Sequence, residues 1–304
     1  MLVYELESST EVDRALTDGY HRPDFDSPSV FCRILDKNKG GHFTISPPAS
    51  LKTTTKQQYL PSNNILQTRY LHDDGVLHLI DFFPRPLKPA KADSTASQNI
   101  KQDPRSVLKK WLVRRVECVR GNIDVNVEVF PAFNYAQDPH TTEIVHSRGA
   151  STLEAQQIVR FRSEKQSLEL VATFDNGNEP APQLQDFIKK RIDGCALGEG
   201  VTACINLNEG QSVTFVLRDI EESGLDPISM PILNQIQKDT STYWFNWISK
   251  SKYKGRWREV VNRSLMILKM LTYEPTGAIV AAPTFSLPED FGGTRNWDYR
   301  YDCV

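Results

Sequence analysis

The sequence predicts a mainly β chain: an N-terminal antiparallel β-sandwich, a helical linker and one further helix. Three observations carry that expectation. Apolar and polar residues alternate, with the period of a half-buried strand, at Val125, Val127 and Val129, at Leu168, Leu170, Ala172 and Phe174, and at Val213, Phe215 and Leu217. Turn signals separate such runs: Asp73-Asp74-Gly75, Arg120-Gly121-Asn122, Asp175-Asn176-Gly177-Asn178 and Asn208-Glu209-Gly210. Near the C-terminus the apolar spacing changes to threes and fours, the signature of a helix. Short strands joined by tight turns build a sandwich.

In chain order, Met1–Arg22 (MLVYELESSTEVDRALTDGYHR) reads as a short polar helix. From Pro23 to about Ile220 the chain reads as strands, Leu77–Phe82 among them. Pro84–Arg105 is polar and proline-bearing and reads as a flexible insertion between strands. Its lysines lack the stacking aromatics or helix N-terminus of a phosphate site and read as solvated. Ile232, Ile236, Tyr243, Trp244, Trp247 and Ile248 mark the apolar face of a linker helix. Trp244 and Trp247 either clamp that helix between domains or stack on sugars.

A second helix starts near Trp257, with Val260, Val261, Leu265, Leu268 and Leu271 on one face. Pro275 and Gly277 stop it. The resulting boundaries are 1–22 for the polar N-terminus, 23–226 for the sandwich, 227–255 for the linker and 256–304 for the last unit.

The loop after that helix is chemically distinctive. Ala278–Ala282 is small and apolar, Pro283 and Pro288 stiffen the chain, and Gly292-Gly293 permits a sharp turn. Arg295, Asn296, Trp297, Asp298, Tyr299 and Arg300 follow. Aromatic faces beside bidentate polar groups suit carbohydrate, which offers apolar C–H faces and a rim of hydroxyls. The same residues equally suit a structural corner, with Trp297 buried and Asp298 paired to an arginine.

Net charge is −2, so no long-range field draws in nucleic acid or an anionic membrane, and neither is expected as a partner. Apolar runs fall far short of the ~20 residues of a membrane helix. No signal peptide is visible at Met1–Gly19. A soluble, cytoplasmic protein is the expectation.

Cys32, Cys118, Cys195, Cys204 and Cys303 are scattered without metal spacing and read as free thiols, with a Cys195–Cys204 disulfide left open. His21, His42, His72, His78, His140 and His146 show no helical metal spacing. No cofactor is expected. Glu289-Asp290 is the tempting acid pair, but adjacent residues cannot flank a scissile bond from opposite sides.

Leu271–Arg300, LTYEPTGAIVAAPTFSLPEDFGGTRNWDYR, closely resembles glycoside hydrolase family 15, the glucoamylase, glucodextranase and trehalase-like enzymes. Upstream, Phe25–Phe31 (FDSPSVF), Asp81–Pro84 (DFFP), Leu112–Val116 (LVRRV) with Arg120-Gly121, and Tyr253–Gly255 with Trp257-Arg258 are similar to landmarks of the same enzymes. The resemblance runs from about Pro23 to Arg300. It implies a trehalase-like N-terminal β-sandwich, a helical linker and the first helix of an (α/α)6 barrel. It also implies inverting hydrolysis of α-glucosidic bonds by two glutamates, with α-glucan, maltooligosaccharide or trehalose as substrate. By family position Tyr299 lines the −1 glucose subsite, and Trp297, Asp298 and Arg300 shape or support it.

Both ends depart from the family pattern. After NWDYR, members continue into a Trp and an Arg-Asp pair, where this chain has Tyr301-Asp302-Cys303-Val304. Met1–Arg22 replaces an extended N-terminal segment. The expectation is a truncated reading frame whose catalytic glutamates lie beyond residue 304, so that the chain alone contains no catalytic residue and is inactive. The alternative is a non-catalytic carbohydrate-binding or protein-interaction sandwich.

Overall fold

The computed structural model describes residues 20–21, 27–33, 36–87, 110–147, 156–176, 188–192, 197–220, 227–273 and 276–279. Thirteen strands are formed among these residues. They are β1 (Tyr20–His21), β2 (Ser29–Phe31), β3 (His42–Ser46), β4 (Thr54–Tyr59), β5 (Leu66–Leu71), β6 (Gly75–Phe82), β7 (Leu112–Phe130), β8 (His140–His146), β9 (Gln157–Ser163), β10 (Ser167–Asp175), β11 (Lys189–Ile192), β12 (Glu199–Asn208) and β13 (Ser212–Asp219). Two long helices follow, α1 (Met230–Ile248) and α2 (Arg258–Met270).

All strand pairs are antiparallel, and β7 organises them. Its first half lies between β6 and β13 in a large sheet ordered β4-β5-β6-β7-β13-β10-β9-β8. Its second half lies between β3 and β12 in a small sheet that β11 extends. One strand thus passes from one layer of the sandwich to the other.

The bend is local. Val76 faces Arg120 and Leu77 faces Cys118, which leaves Val119 as the extra residue of a bulge. Gly121 follows with φ 75°, and a Cβ there would sit 1.9 Å from the Asp74 carbonyl oxygen. The sequence reading of Arg120-Gly121-Asn122 as a turn between strands is therefore corrected: the positive φ bends one continuous strand. Asp73-Asp74-Gly75 and Asn208-Glu209-Gly210 do form the β5–β6 and β12–β13 connections.

Phe43, Leu79, Val127 and Phe215 belong to the core between the two sheets. A second core lies on the opposite face of the large sheet, where Ile80, Val113, Val171 and Val216 meet Leu233 of α1. The large sheet is thus covered on both faces. This explains why Glu169, Thr173, Thr214 and Arg218, polar positions in alternating strands, are buried as well. Their polar atoms are satisfied locally: Arg218 Nε donates to Glu169 Oε1 at 2.8 Å, and Thr173 Oγ1 donates to the Ile228 carbonyl at 2.9 Å.

Helix α1 is capped by backbone alone at Ser229 and carries Pro231 in its first turn, where no N–H is needed. Its buried stripe is Leu233, Thr240, Trp244 and Ile248, with Ile236 packed beside it. Ile232, placed on that face from sequence, is exposed, one position off the stripe. Arg115 of β7 reaches up to it, with Nη1 donating to Gln237 Oε1 at 3.2 Å.

Pro84–Leu87, the start of the anticipated insertion, runs along α1: the Arg85 N–H donates to Thr240 Oγ1 at 3.0 Å. Residues 88–105 lie outside the described residues, as does most of Met1–Arg22.

Candidate functional site

The sandwich, α1 and α2 meet at one joint, which precedes in sequence the segment singled out above. Trp244 and Ile248 of α1 enclose Met266 of α2. Trp247 is half-buried beside them and donates its indole N–H to the Leu265 carbonyl at 3.3 Å. Both tryptophans therefore serve the interhelical contact, the clamping role of the two considered.

The sandwich grips α2 through the β4–β5 loop. The Arg263 guanidinium carbon lies 4.0 Å from the centroid of the Tyr59 ring, and Nη1 donates to the Asn63 carbonyl at 3.1 Å. Asn64 Nδ2 lies 2.9 Å from Met270 Sδ. Burial pushes the Tyr59 phenol up, with the neighbouring Arg263 charge pulling the other way. Burial lowers the Arg263 pKa, against the pull of Tyr59 and Glu259.

Helix α2 ends at Met270, before Pro275 is reached. The chain then reverses. Thr272 bridges Ile279, the Tyr273 N–H donates to the Ala278 carbonyl at 2.8 Å, and Gly277 takes φ 75°.

The enclosed carboxylates point to structure. Asp81 and Arg114 are register partners on β6 and β7, both fully buried, with Arg114 Nε donating to Asp81 Oδ1 at 2.8 Å. Arg114 also donates to the Phe43 carbonyl and lies over the Phe43 ring at 4.8 Å. Burial pushes the Asp81 pKa up, and Arg114 pulls it back. Glu169 is held between Arg218 and Arg160 of the two flanking strands. Among the described residues no group of His, Cys, Asp and Glu could hold a metal ion. None of the described helices is long and apolar enough to cross a membrane.

Two family models match this chain. Residues 15–148 match the model described as trehalase-like, N-terminal, and residues 255–304 match glycosyl hydrolases family 15. The trehalase of Thermoplasma acidophilum is 32% identical over 287 residues, covering 93% of this chain and 41% of its own length. The trehalase of Thermoplasma volcanium is 32% identical over 283 residues, 93% of this chain and 38% of its own length. That of Mycolicibacterium smegmatis is 32% identical over 281 residues, 92% and 38%. Together these matches liken the chain to glycoside hydrolase family 15. It is a family of carbohydrate hydrolases, and the chain spans about two fifths of the length of these relatives.

The four subsite residues that the resemblance implies, Trp297, Asp298, Tyr299 and Arg300, lie outside the described residues, as do Glu289-Asp290, Cys195 and Cys303. The upstream landmarks come together in an unforeseen way. DFFP and LVRRV sit on adjacent strands, Asp81 opposite Arg114 and Phe82 opposite Val113. FDSPSVF supplies β2, where Val30 is buried and accepts a hydrogen bond from the Ala132 N–H at 2.8 Å.

Sequence reasoning missed the clamp of Arg263 on Tyr59 and Asn63, the latter 200 positions away, which carries no local signal. It also missed the turn Phe133–Ala136, where Asn134, Tyr135 and Ala136 all take positive φ. Cys118 and Cys204 are free thiols, Cys118 buried and Cys204 exposed.

Proposed function

We propose that these residues form the N-terminal part of an inverting hydrolase whose substrate is trehalose. On this reading the sandwich and α1 hold α2 and the loop after it against a bound glucose. The observation that carries the reading is the match to proteins named trehalase, which runs through the sandwich, α1 and α2 alike. Maltooligosaccharide and α-glucan are the competing substrates. On the strength of the resemblance, Tyr299 lines the −1 subsite, and Trp297, Asp298 and Arg300 shape it.

An inverting enzyme needs an acid and a base carboxyl about 6.5–9.5 Å apart, with water between base and sugar. Asp81 and Glu169 are each locked to arginine inside the fold and are closed to such work. This supports a division of labour in which the described residues position the substrate loop and another part of the enzyme supplies acid and base. The free thiols suit a reducing cytoplasm as the site of action.

The test is glucose release by the full-length enzyme that contains these residues, offered trehalose, maltose or maltotriose. NMR of the first-formed sugar reads the anomer. Trehalose cleavage yielding one β-glucose supports the proposal. Maltose cleavage with trehalose untouched overturns the substrate assignment. Glucose release by residues 1–304 alone, above an enzyme-free blank, overturns the division of labour.

A further inference from the structure

Arg263, Met266 and Met270 follow one another at helical spacings of three and four, so they share one face of α2. Met266 packs with Trp244 and Ile248 of α1. Arg263 and Met270 both meet the loop that joins β4 to β5.

That loop keeps its shape with bonds of its own. The Leu60 N–H donates to the Ile65 carbonyl at 2.9 Å and the Asn63 N–H to the Leu60 carbonyl at 3.1 Å, with Ser62 between them at φ 53°. Asn63 and Ile65 are buried. The Asn63 carbonyl then accepts Arg263 Nη1 at 3.1 Å, while the guanidinium carbon stands 4.0 Å from the centre of the Tyr59 ring. A planar cation on a ring, with one donor fixed on a carbonyl, sets a direction as well as a distance.

Beyond α2 the bonded path continues. Thr272 Oγ1 donates to the Leu268 carbonyl at 3.1 Å, the Tyr273 N–H to the Ala278 carbonyl at 2.8 Å, and the Gly277 N–H to the Tyr273 carbonyl at 2.8 Å. Residues 278 and 279 are thereby tied back to the end of the helix, Ile279 by its bridge to Thr272. In sequence, the segment with Trp297, Asp298, Tyr299 and Arg300 follows.

We propose that Arg263, set by Tyr59 and Asn63, is a positioning residue for the −1 sugar subsite: it indexes α2, and through α2 the substrate segment, against the sandwich. This rests on the function proposed above. From Arg263 to Met270 the helix runs about 10 Å, so a tilt of about 6° displaces its end by ~1 Å. A misplacement of ~1 Å at reacting groups costs up to about 100-fold in rate.

The test uses the full-length enzyme that contains these residues, with whichever of trehalose, maltose or maltotriose it cleaves. Arg263→Met and Tyr59→Leu should each lower kcat/KM by about 10- to 100-fold, most of it in kcat, per folded molecule and well below the melting temperature. The double variant should be no worse than the poorer single, because the two side chains act as one unit. Arg263→Lys, which keeps a cation at the ring, should recover part of the loss. Tyr59→Leu carries the test if Arg263→Met does not fold. A purely structural contact would lower the urea midpoint and leave kcat per folded molecule unchanged; that result, or losses that add in the double variant, overturns the inference while the proposed function stands. A wild-type enzyme that cleaves none of the three sugars overturns the proposed function, and this inference with it.

Discussion

Replacing Asp81 by Ala should destabilise the protein by about 3–5 kcal/mol, because it strands a buried guanidinium. Arg114 has no exposed surface, and the substitution removes the carboxylate that faces its charge, the Phe43 carbonyl and ring staying among its contacts. The pair itself is a poor stabiliser. Burial raises the Asp81 pKa more than Arg114 lowers it, so ionised Asp81 is less favourable folded than unfolded. A group whose folded pKa lies above its unfolded value contributes stability below the unfolded pKa and loses it as pH rises through the folded one. At neutral pH the charged pair is therefore held at a cost, and Asp81→Leu/Arg114→Met should be close to neutral or stabilising by about 1–4 kcal/mol.

Urea unfolding at pH 7, followed by circular dichroism and tryptophan emission, measures all corners of the cycle. A loss of 3–5 kcal/mol is a large part of the roughly 5–15 kcal/mol that holds a typical domain together. Asp81→Asn, which keeps one acceptor for Arg114, provides the milder corner if the alanine variant does not fold. A single-variant loss below about 1 kcal/mol would refute the reasoning. So would a double variant as unstable as the sum of the singles.

Other consequences follow from the same structure. Ala136→Gly should raise stability by about 0.5–1 kcal/mol, because a left-handed L-residue costs roughly 1–2 kcal/mol and glycine's extra chain entropy offsets part of that; a thermal melt that does not rise contradicts it. His140 is buried, and burial holds its pKa below the usual 6.5, so its contribution is intact above that value and falls away as pH drops below it towards the folded pKa. The urea midpoint should therefore decline from pH 7.5 to 5, His78 adding with the same sign, and His140→Asn should flatten the decline. Arg263→Ala should loosen α2 by about 1–2 kcal/mol through loss of its contact with Tyr59 and its bond to Asn63. Amide exchange that quickens in residues 258–270 but not in β6 or β13 is the expected readout, and uniform exchange counts against the clamp.

Strand periodicity made the sandwich legible, but only from one side. Val213, Phe215 and Leu217 announce an apolar face whatever they pack against. Thr214 and Arg218 look like a solvent face, and they are buried because α1 and the neighbouring strands cover them. An alternating pattern reports that one face is dry, and it carries no information about the cover on the other. Gly121 shows the same limit in backbone terms. A positive φ reads as a turn, and its use as a bend is decided by β12 and β13 pairing with opposite halves of β7, some ninety positions away in effect.

Charge is where local reading misleads most. Asp81 and Arg114 sit in short motifs that read separately as landmarks, yet they meet across two strands and neutralise each other in the core. The fold uses its enclosed ions to fix strand register: Asp81 with Arg114 for β6 and β7, Glu169 with Arg218 and Arg160 for β13, β10 and β9. A slip of one residue would turn each ion to the opposite face and leave it unpaired. The register of the large sheet therefore sets where the β4–β5 loop stands, and that loop, through Arg263, sets the position of α2. The position of α2 is thus tied to ion pairs deep in the sandwich, a dependence that neither motif shows when read alone.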